Sequence, residues 1–133
     1  MKSTSSHMIR FTVLIIFASI ILSACEKIQV GEPFNCKVGT KYLIENQVVF
    51  TIDSISDYRC PKDVVCIWAG DVDLYFDINI NLVRTDTLIR LYRNNPVEIG
   101  NYTWKVLEVN PLLNHNQAID QGDYRIKLLI EKN

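Results

Sequence analysis

Between residues 71 and 82 the chain alternates without a break: Val72, Leu74, Phe76, Ile78, Ile80 and Leu82 against Asp73, Tyr75, Asp77, Asn79 and Asn81. Side chains of an extended strand point to opposite faces in turn, so this pattern predicts a strand with one packed and one wet face. A helix would need apolar residues three and four apart instead. Such a strand cannot stand alone, because its apolar face must be covered by another layer.

The rest of the chain is read against that requirement. Tyr124, Ile126, Leu128 and Ile130 share one side of a closing strand, while Asp123, Arg125, Lys127 and Glu131 largely fill the other. Residues 87–92 and 102–109 read as strands parted by the turn signal Asn94-Asn95-Pro96 and by Gly100. Upstream, residues 34–38, 42–44 and 48–56 do the same. No segment carries a convincing helical stripe, and residues 111–122 form the longest irregular piece, with room for one helical turn. About seven strands in about 100 residues, with no helices to cover a parallel sheet, predict an all-β domain: an antiparallel β-sandwich or small barrel.

The start of the chain is different. A cationic segment with Lys2 and Arg10 leads into an apolar run at 11–22 and the small pair Ser23-Ala24. About 12 apolar residues at 1.5 Å each reach about 18 Å, short of the roughly 30 Å hydrocarbon core, so the segment reads as a signal peptide rather than a span. Its end, Leu22-Ser23-Ala24-Cys25, resembles the lipobox of bacterial lipoproteins. The resemblance implies cleavage before Cys25, a diacylglycerol on its thiol and a further acyl chain, such as palmitate, on the freed amine. Two or three chains hold a protein on a bilayer almost permanently. The expected organisation is a signal peptide at 1–24, a lipidated tether at 25–33 and one β domain at 34–133. Glu26-Lys27 does not resemble an inner-membrane retention signal, so the expected location is the cell envelope, with the outer membrane favoured. The whole chain has 14 basic and 15 acidic residues. Losing Lys2 and Arg10 tips it further towards acid, which argues against nucleic acid as a partner.

Export also bears on the cysteines. With Cys25 acylated, Cys36, Cys60 and Cys66 remain in an oxidising compartment. Cys60 and Cys66, separated by a short spacer opening with Pro61, are the expected disulfide. Cys36 shares strand parity with Phe34 and Val38 and is expected in the core. A zinc site from Cys36, Cys60, Cys66 and His115 is disfavoured by the ligand spacing and by the compartment, so no metal and no cofactor is expected. Copper is disfavoured as well, since both methionines, Met1 and Met8, lie in the leader.

Residues 57–70 read Asp-Tyr-Arg-Cys-Pro-Lys-Asp-Val-Val-Cys-Ile-Trp-Ala-Gly. This resembles a motif of uncharacterised small bacterial lipoproteins: Asp-Ser-Arg-Cys-Pro, four residues, Cys, one residue, Trp-Ala-Gly. Tyr58 stands where those proteins usually carry Ser. The resemblance extends from the Gly31-Glu32-Pro33-Phe34 opening to the final strand, and it implies a secreted β domain without assigning an activity. Physically, the segment reads as a stapled crossover. Cys60, Pro61 and Cys66 fix the loop, Trp68 covers the strand ends, Gly70 permits the turn into Asp71, and Asp57 and Arg59 share a charge-assisted hydrogen bond. The functional alternative makes Asp57, Tyr58, Arg59 and Trp68 a binding surface.

Other constellations carry less. Asp71, Asp73 and Asp77 fall on one strand face, where pairing with Arg90, Arg125 or Lys127 is expected rather than calcium binding. The mature part has only Ser54 and Ser56, both in a predicted strand, and His115 as its histidine, so no triad or nucleophile elbow is present. A Cys36/His115 dyad is the remaining catalytic option, and no enzyme is expected. The expected function is therefore that of a lipid-anchored envelope module binding another envelope protein or a glycan. The alternative is a secreted inhibitor of a hydrolase, acting through the Cys60–Cys66 loop.

Overall fold

The computed structural model describes residues 25–133; the leader read at 1–24 lies outside the described residues. Nine strands follow in chain order: β1 (Glu26–Ile28), β2 (Phe34–Cys36), β3 (Lys41–Ile44), β4 (Val48–Asp57), β5 (Val72–Ile80), β6 (Val83–Arg90), β7 (Val97–Ile99), β8 (Tyr102–Asn110) and β9 (Arg125–Lys132). They form a five-stranded sheet ordered β1-β3-β4-β5-β6 and a four-stranded sheet ordered β2-β9-β8-β7. The two sheets make a β-sandwich rather than a closed barrel.

Strand parity decides what lies between the sheets. Val72, Leu74, Phe76 and Ile78 of β5 are buried, as are Ile126, Leu128 and Ile130 of β9. Trp104 of β8, fully buried, crosses the interlayer space. Phe50 and Phe76 meet it edge-on at centroid distances of 5.0 and 6.0 Å, the offset geometry that aromatic quadrupoles favour. Bulges at β4, between Ile52 and Ser54, and at β8, between Val106 and Glu108, each insert one residue. The extra residue resets parity, so Val106 and Val109 are both buried while Leu107 faces out.

The structure departs from the pattern-based reading at strand ends. The alternation through Leu82 overruns the strand: Asn81 and Leu82 adopt positive φ of 50° and 69° in a two-residue turn, and Leu82 is 94% exposed. β6 accordingly starts at Val83, upstream of the predicted 87. The segment expected to be only a tether contributes β1, which pairs in parallel with β3, so the five-stranded sheet is not wholly antiparallel. β7 was not anticipated either. Both are three-residue strands held by their neighbours, too short for periodicity to reveal. The helical turn expected within 111–122 is a 3-10 turn at Gln121–Asp123, which runs one residue past that segment into the predicted closing strand.

Candidate functional site

The motif at 57–70 lies where β4 passes into β5. The last ladder pair is Asp57 with Val72. Backbone pairing continues beyond it: Tyr58 N donates to Asp71 O at 3.1 Å and Cys60 N to Ala69 O at 3.0 Å. The segment is thus the extended tip of a hairpin between neighbouring strands, not a crossover. Gly70 makes this close approach possible. Its φ is +72°, and a Cβ placed there would sit 2.0 Å from the Tyr58 carbonyl oxygen.

Beyond the hairpin the loop is stapled. Cys60 and Cys66 form a disulfide with Cα atoms 5.8 Å apart. Lys62 N donates to Leu113 O at 3.0 Å, and His115 N donates to Asp63 Oδ1 at 2.8 Å. The covalent ring is therefore also fastened to the loop that follows β8.

Arg59 is the keystone beneath it. Its Nε donates to Asp57 Oδ1 at 2.9 Å and one terminal nitrogen to Asp57 Oδ2 at 2.6 Å. The guanidinium also donates to the carbonyls of Val109 at 2.8 Å and Pro111 at 2.9 Å. Both members of the ion pair are buried. Burial opposes the charged guanidinium, but the hydrogen bond and charge of Asp57 outweigh it, holding Arg59 above its ordinary value. The Tyr124 hydroxyl donates to Asp57 Oδ2 at 3.3 Å. Burial first, and then the Asp57 charge, push the Tyr124 phenol up to about 12. The predicted Asp57–Arg59 contact forms, and it ties the hairpin base to the end of β8.

A second network lies on the other side of the hairpin. Asp71 does not sit on the wet face with Asp73 and Asp77; it is fully buried. It precedes the first ladder residue of β5, and the chain after β6 folds over it. Asp71 Oδ1 accepts from Val72 N at 2.8 Å and Tyr92 N at 2.9 Å, and Oδ2 accepts from Arg93 Nε at 3.0 Å. Burial alone would push its carboxyl up; the two backbone donors and Arg93 together hold it below the ordinary range. Arg93 also donates to the Tyr58 hydroxyl at 3.0 Å, and Tyr58 donates to Asp73 at 2.9 Å. Asp73 accepts from Arg90 at 3.1 Å and Asp77 from Arg84 at 2.9 Å. The expected Asp73–Arg90 pair is present. Arg125 and Lys127 stand on β9, in the other sheet, and Arg84 and Arg93 take the places they were expected to fill.

What this scaffolding presents is apolar. Val65 and Ile67 are 103% and 98% exposed and Trp68 is 81% exposed. Trp68 is not a plug over the strand ends. It stands in solvent beside Tyr58, Ala69, Gly70 and Arg93, lining an open groove of about 420 Å³. The remaining thiol behaves otherwise. Cys36 is buried and donates to Ile126 O at 3.3 Å, and burial, with Glu26 adding to it, pushes that thiol far above its ordinary value. His115 is exposed on its loop. Cys36, the oxidised Cys60 and Cys66, and His115 are therefore not gathered into one site.

No protein-family model, curated protein or solved structure matches the chain. The site rests on its own chemistry. Asp57, Tyr58, Arg59 and Trp68 do converge on one end of the sandwich, but with divided roles: Asp57 and Arg59 build the base, Tyr58 bridges, and Trp68 is presented. Val65, Ile67 and Arg93 belong beside them. The sequence held one signal for the first two, since Val64-Val65 and Ile67-Trp68 lie in or beside a ring too short to reach back into a core.

Proposed function

We propose that the protein is a lipid-anchored envelope module that binds a protein partner through the stapled loop. The observation that carries this reading is the exposure of Val65, Ile67 and Trp68 on a backbone restrained by the disulfide, by Arg59 and by the loop after β8. Flexible apolar loops lose entropy on binding; a restrained one has already lost it. Moving a buried-sized Val or Ile side chain out of water is worth roughly 1.5–3 kcal/mol, and a central aromatic anchor with an adjacent Arg is the usual make-up of an interface hot spot. Aliphatic Val65 and Ile67 suit an apolar socket better than a hydroxyl-covered sugar, which favours protein over glycan. Placement in the envelope is supported by the lipobox resemblance at Cys25, by the resemblance of residues 57–70 to small lipoproteins, and by a disulfide that oxidising compartments preserve.

The test uses photo-crosslinking in living cells from a reactive side chain placed at Val64, beside the tip. A discrete adduct that disappears in a Val65→Ser/Ile67→Ser/Trp68→Ala background supports the proposal. An adduct pattern indifferent to that triple change removes it. If the adduct contains a hydrolase, titration of that enzyme with the protein reads out the inhibitor alternative as stoichiometric loss of activity.

A further inference from the structure

Among the described residues the five-stranded sheet ends at β6, whose outer side has no neighbouring strand. Ile80 and Val83 close a two-residue turn as a paired couple. Such a couple exchanges both of its backbone hydrogen bonds, so Val83, Thr85 and Thr87 spend theirs on β5. Arg84, Asp86 and Leu88 then turn their N–H and C=O groups outward. Residues 83–86 are exposed throughout, and Leu82 and Val83 expose 94% and 66% of their surface. Edge strands usually guard against pairing by carrying charge. Here the guard alternates in sign, Arg84 then Asp86, on one face of the strand.

A second copy meeting this edge antiparallel must obey the same parity, so that outward-bonding residues face outward-bonding ones and inward-bonding residues face inward-bonding ones. With the two-fold axis at Arg84 or at Asp86, like charges oppose themselves. With the axis at Thr87, Arg84 opposes Arg90. An axis at Leu88 is obstructed, because the Asn94 side chain already donates to the Leu88 carbonyl at 3.4 Å. With the axis at Thr85, each Arg84 opposes the Asp86 of the other copy, Leu82 faces Leu88, and Val83 faces Thr87. Within one copy Arg84 already lies against two acids, Asp77 of β5 at 2.9 Å and Asp86 of its own strand at 3.8 Å.

We propose that the β6 edge is a self-complementary surface through which two copies pair antiparallel about Thr85, joining their larger sheets into one continuous ten-stranded layer, twice the five strands of each. This surface is separate from the stapled loop.

Sedimentation of the purified protein tests the pairing. The mass rises from monomer towards dimer as concentration approaches about 1 mM, the weak end of specific association. Asp86→Arg and Arg84→Asp, each setting like charges opposite one another at two places, raise the dissociation constant by roughly tenfold or more. The combined Arg84→Asp/Asp86→Arg exchange restores it. Register is read separately by oxidation of single-cysteine variants. Across the axis, non-hydrogen-bonded residues have Cα atoms about 4.5 Å apart, within disulfide reach, so Thr85→Cys crosslinks to a covalent dimer. Val83→Cys, placed opposite Thr87 rather than itself, does not. A monomer at all concentrations, single reversals without effect, or equal crosslinking at Val83 and Thr85 overturns the proposal.

Discussion

Replacing Arg59 by Met keeps the length and apolar stem of the side chain but removes every donor that fastens the hairpin base. Asp57 then loses both arms of a buried bidentate pair and keeps only the longer contacts from Tyr124 at 3.3 Å and from the backbone N–H of residue 59 at 3.2 Å. Stranding one member of a buried ion pair costs about 3–5 kcal/mol. Val109 O and Pro111 O each lose a donor as well, worth about 1 kcal/mol apiece where water cannot replace it. Because Pro111 lies at the surface, water replaces most of its loss, and the expected total is about 5 kcal/mol. Against a domain stability of about 5–15 kcal/mol, such a variant folds but melts early. The assay is urea unfolding of four proteins: wild type, Arg59→Met, Asp57→Asn and the double variant. Removing both charges leaves no buried ion without a partner, so the double variant loses less than the two single losses combined, with a coupling of at least about 1 kcal/mol. A loss below about 1 kcal/mol for Arg59→Met, or strict additivity across the cycle, would refute the keystone role assigned to this side chain.

The two tryptophans should behave oppositely. Trp104→Ala empties the centre of the core and costs roughly 3–5 kcal/mol, whereas Trp68→Ala removes a ring already in water and lowers stability by less than about 1 kcal/mol; equal shifts in thermal midpoint would contradict the division between packed and presented rings. Gly70→Ala forces a Cβ to within 2.0 Å of the Tyr58 carbonyl oxygen at φ +72°, so the hairpin tip must open, and hydrogen exchange at Tyr58 and Cys60 N–H should accelerate; unchanged protection would show that the close approach is dispensable. Asp71 has a folded-state carboxyl held below its unfolded value, so its contribution is present above about pH 4 and fades as pH falls through the folded value. The urea midpoint of Asp71→Asn should therefore trail that of wild type at pH 7 and approach it in acid, and a gap independent of pH would dismiss this assignment.

How much the sequence disclosed depended on whether a residue's surroundings were local. β5 and β9 were readable because their packed faces repeat over four or three buried residues, and the disulfide because its two cysteines close a small ring. Leu82 continues the same alternation yet lies in a turn, since a period cannot announce where a strand stops. Asp71 also obeys the parity of the wet face, but it stands one position before the ladder and is covered by Tyr92 and Arg93, about twenty residues away. Trp68 was misplaced for a related reason: a large apolar ring suggests a core, and only the disposition of the finished hairpin shows that this one has no core within reach. Asp57 and Arg59 were legible as a pair. That the same guanidinium also holds the carbonyls of Val109 and Pro111 was not, because backbone acceptors from a distant strand leave no trace in side-chain pattern.

The outward reach of the hairpin tip separates two kinds of inheritance in one chain. Val64, Val65, Ile67 and Trp68 give nothing to the interlayer packing, and what holds their backbone lies outside them, in the Cys60–Cys66 disulfide, in Arg59 and in the strands below. Their chemical identity is therefore free to drift, or to be rewritten, while the rest of the molecule stays in place. A library randomised at Val65, Ile67 and Trp68 should retain its folded fraction, which would make this small sandwich a display frame onto which foreign specificities can be grafted.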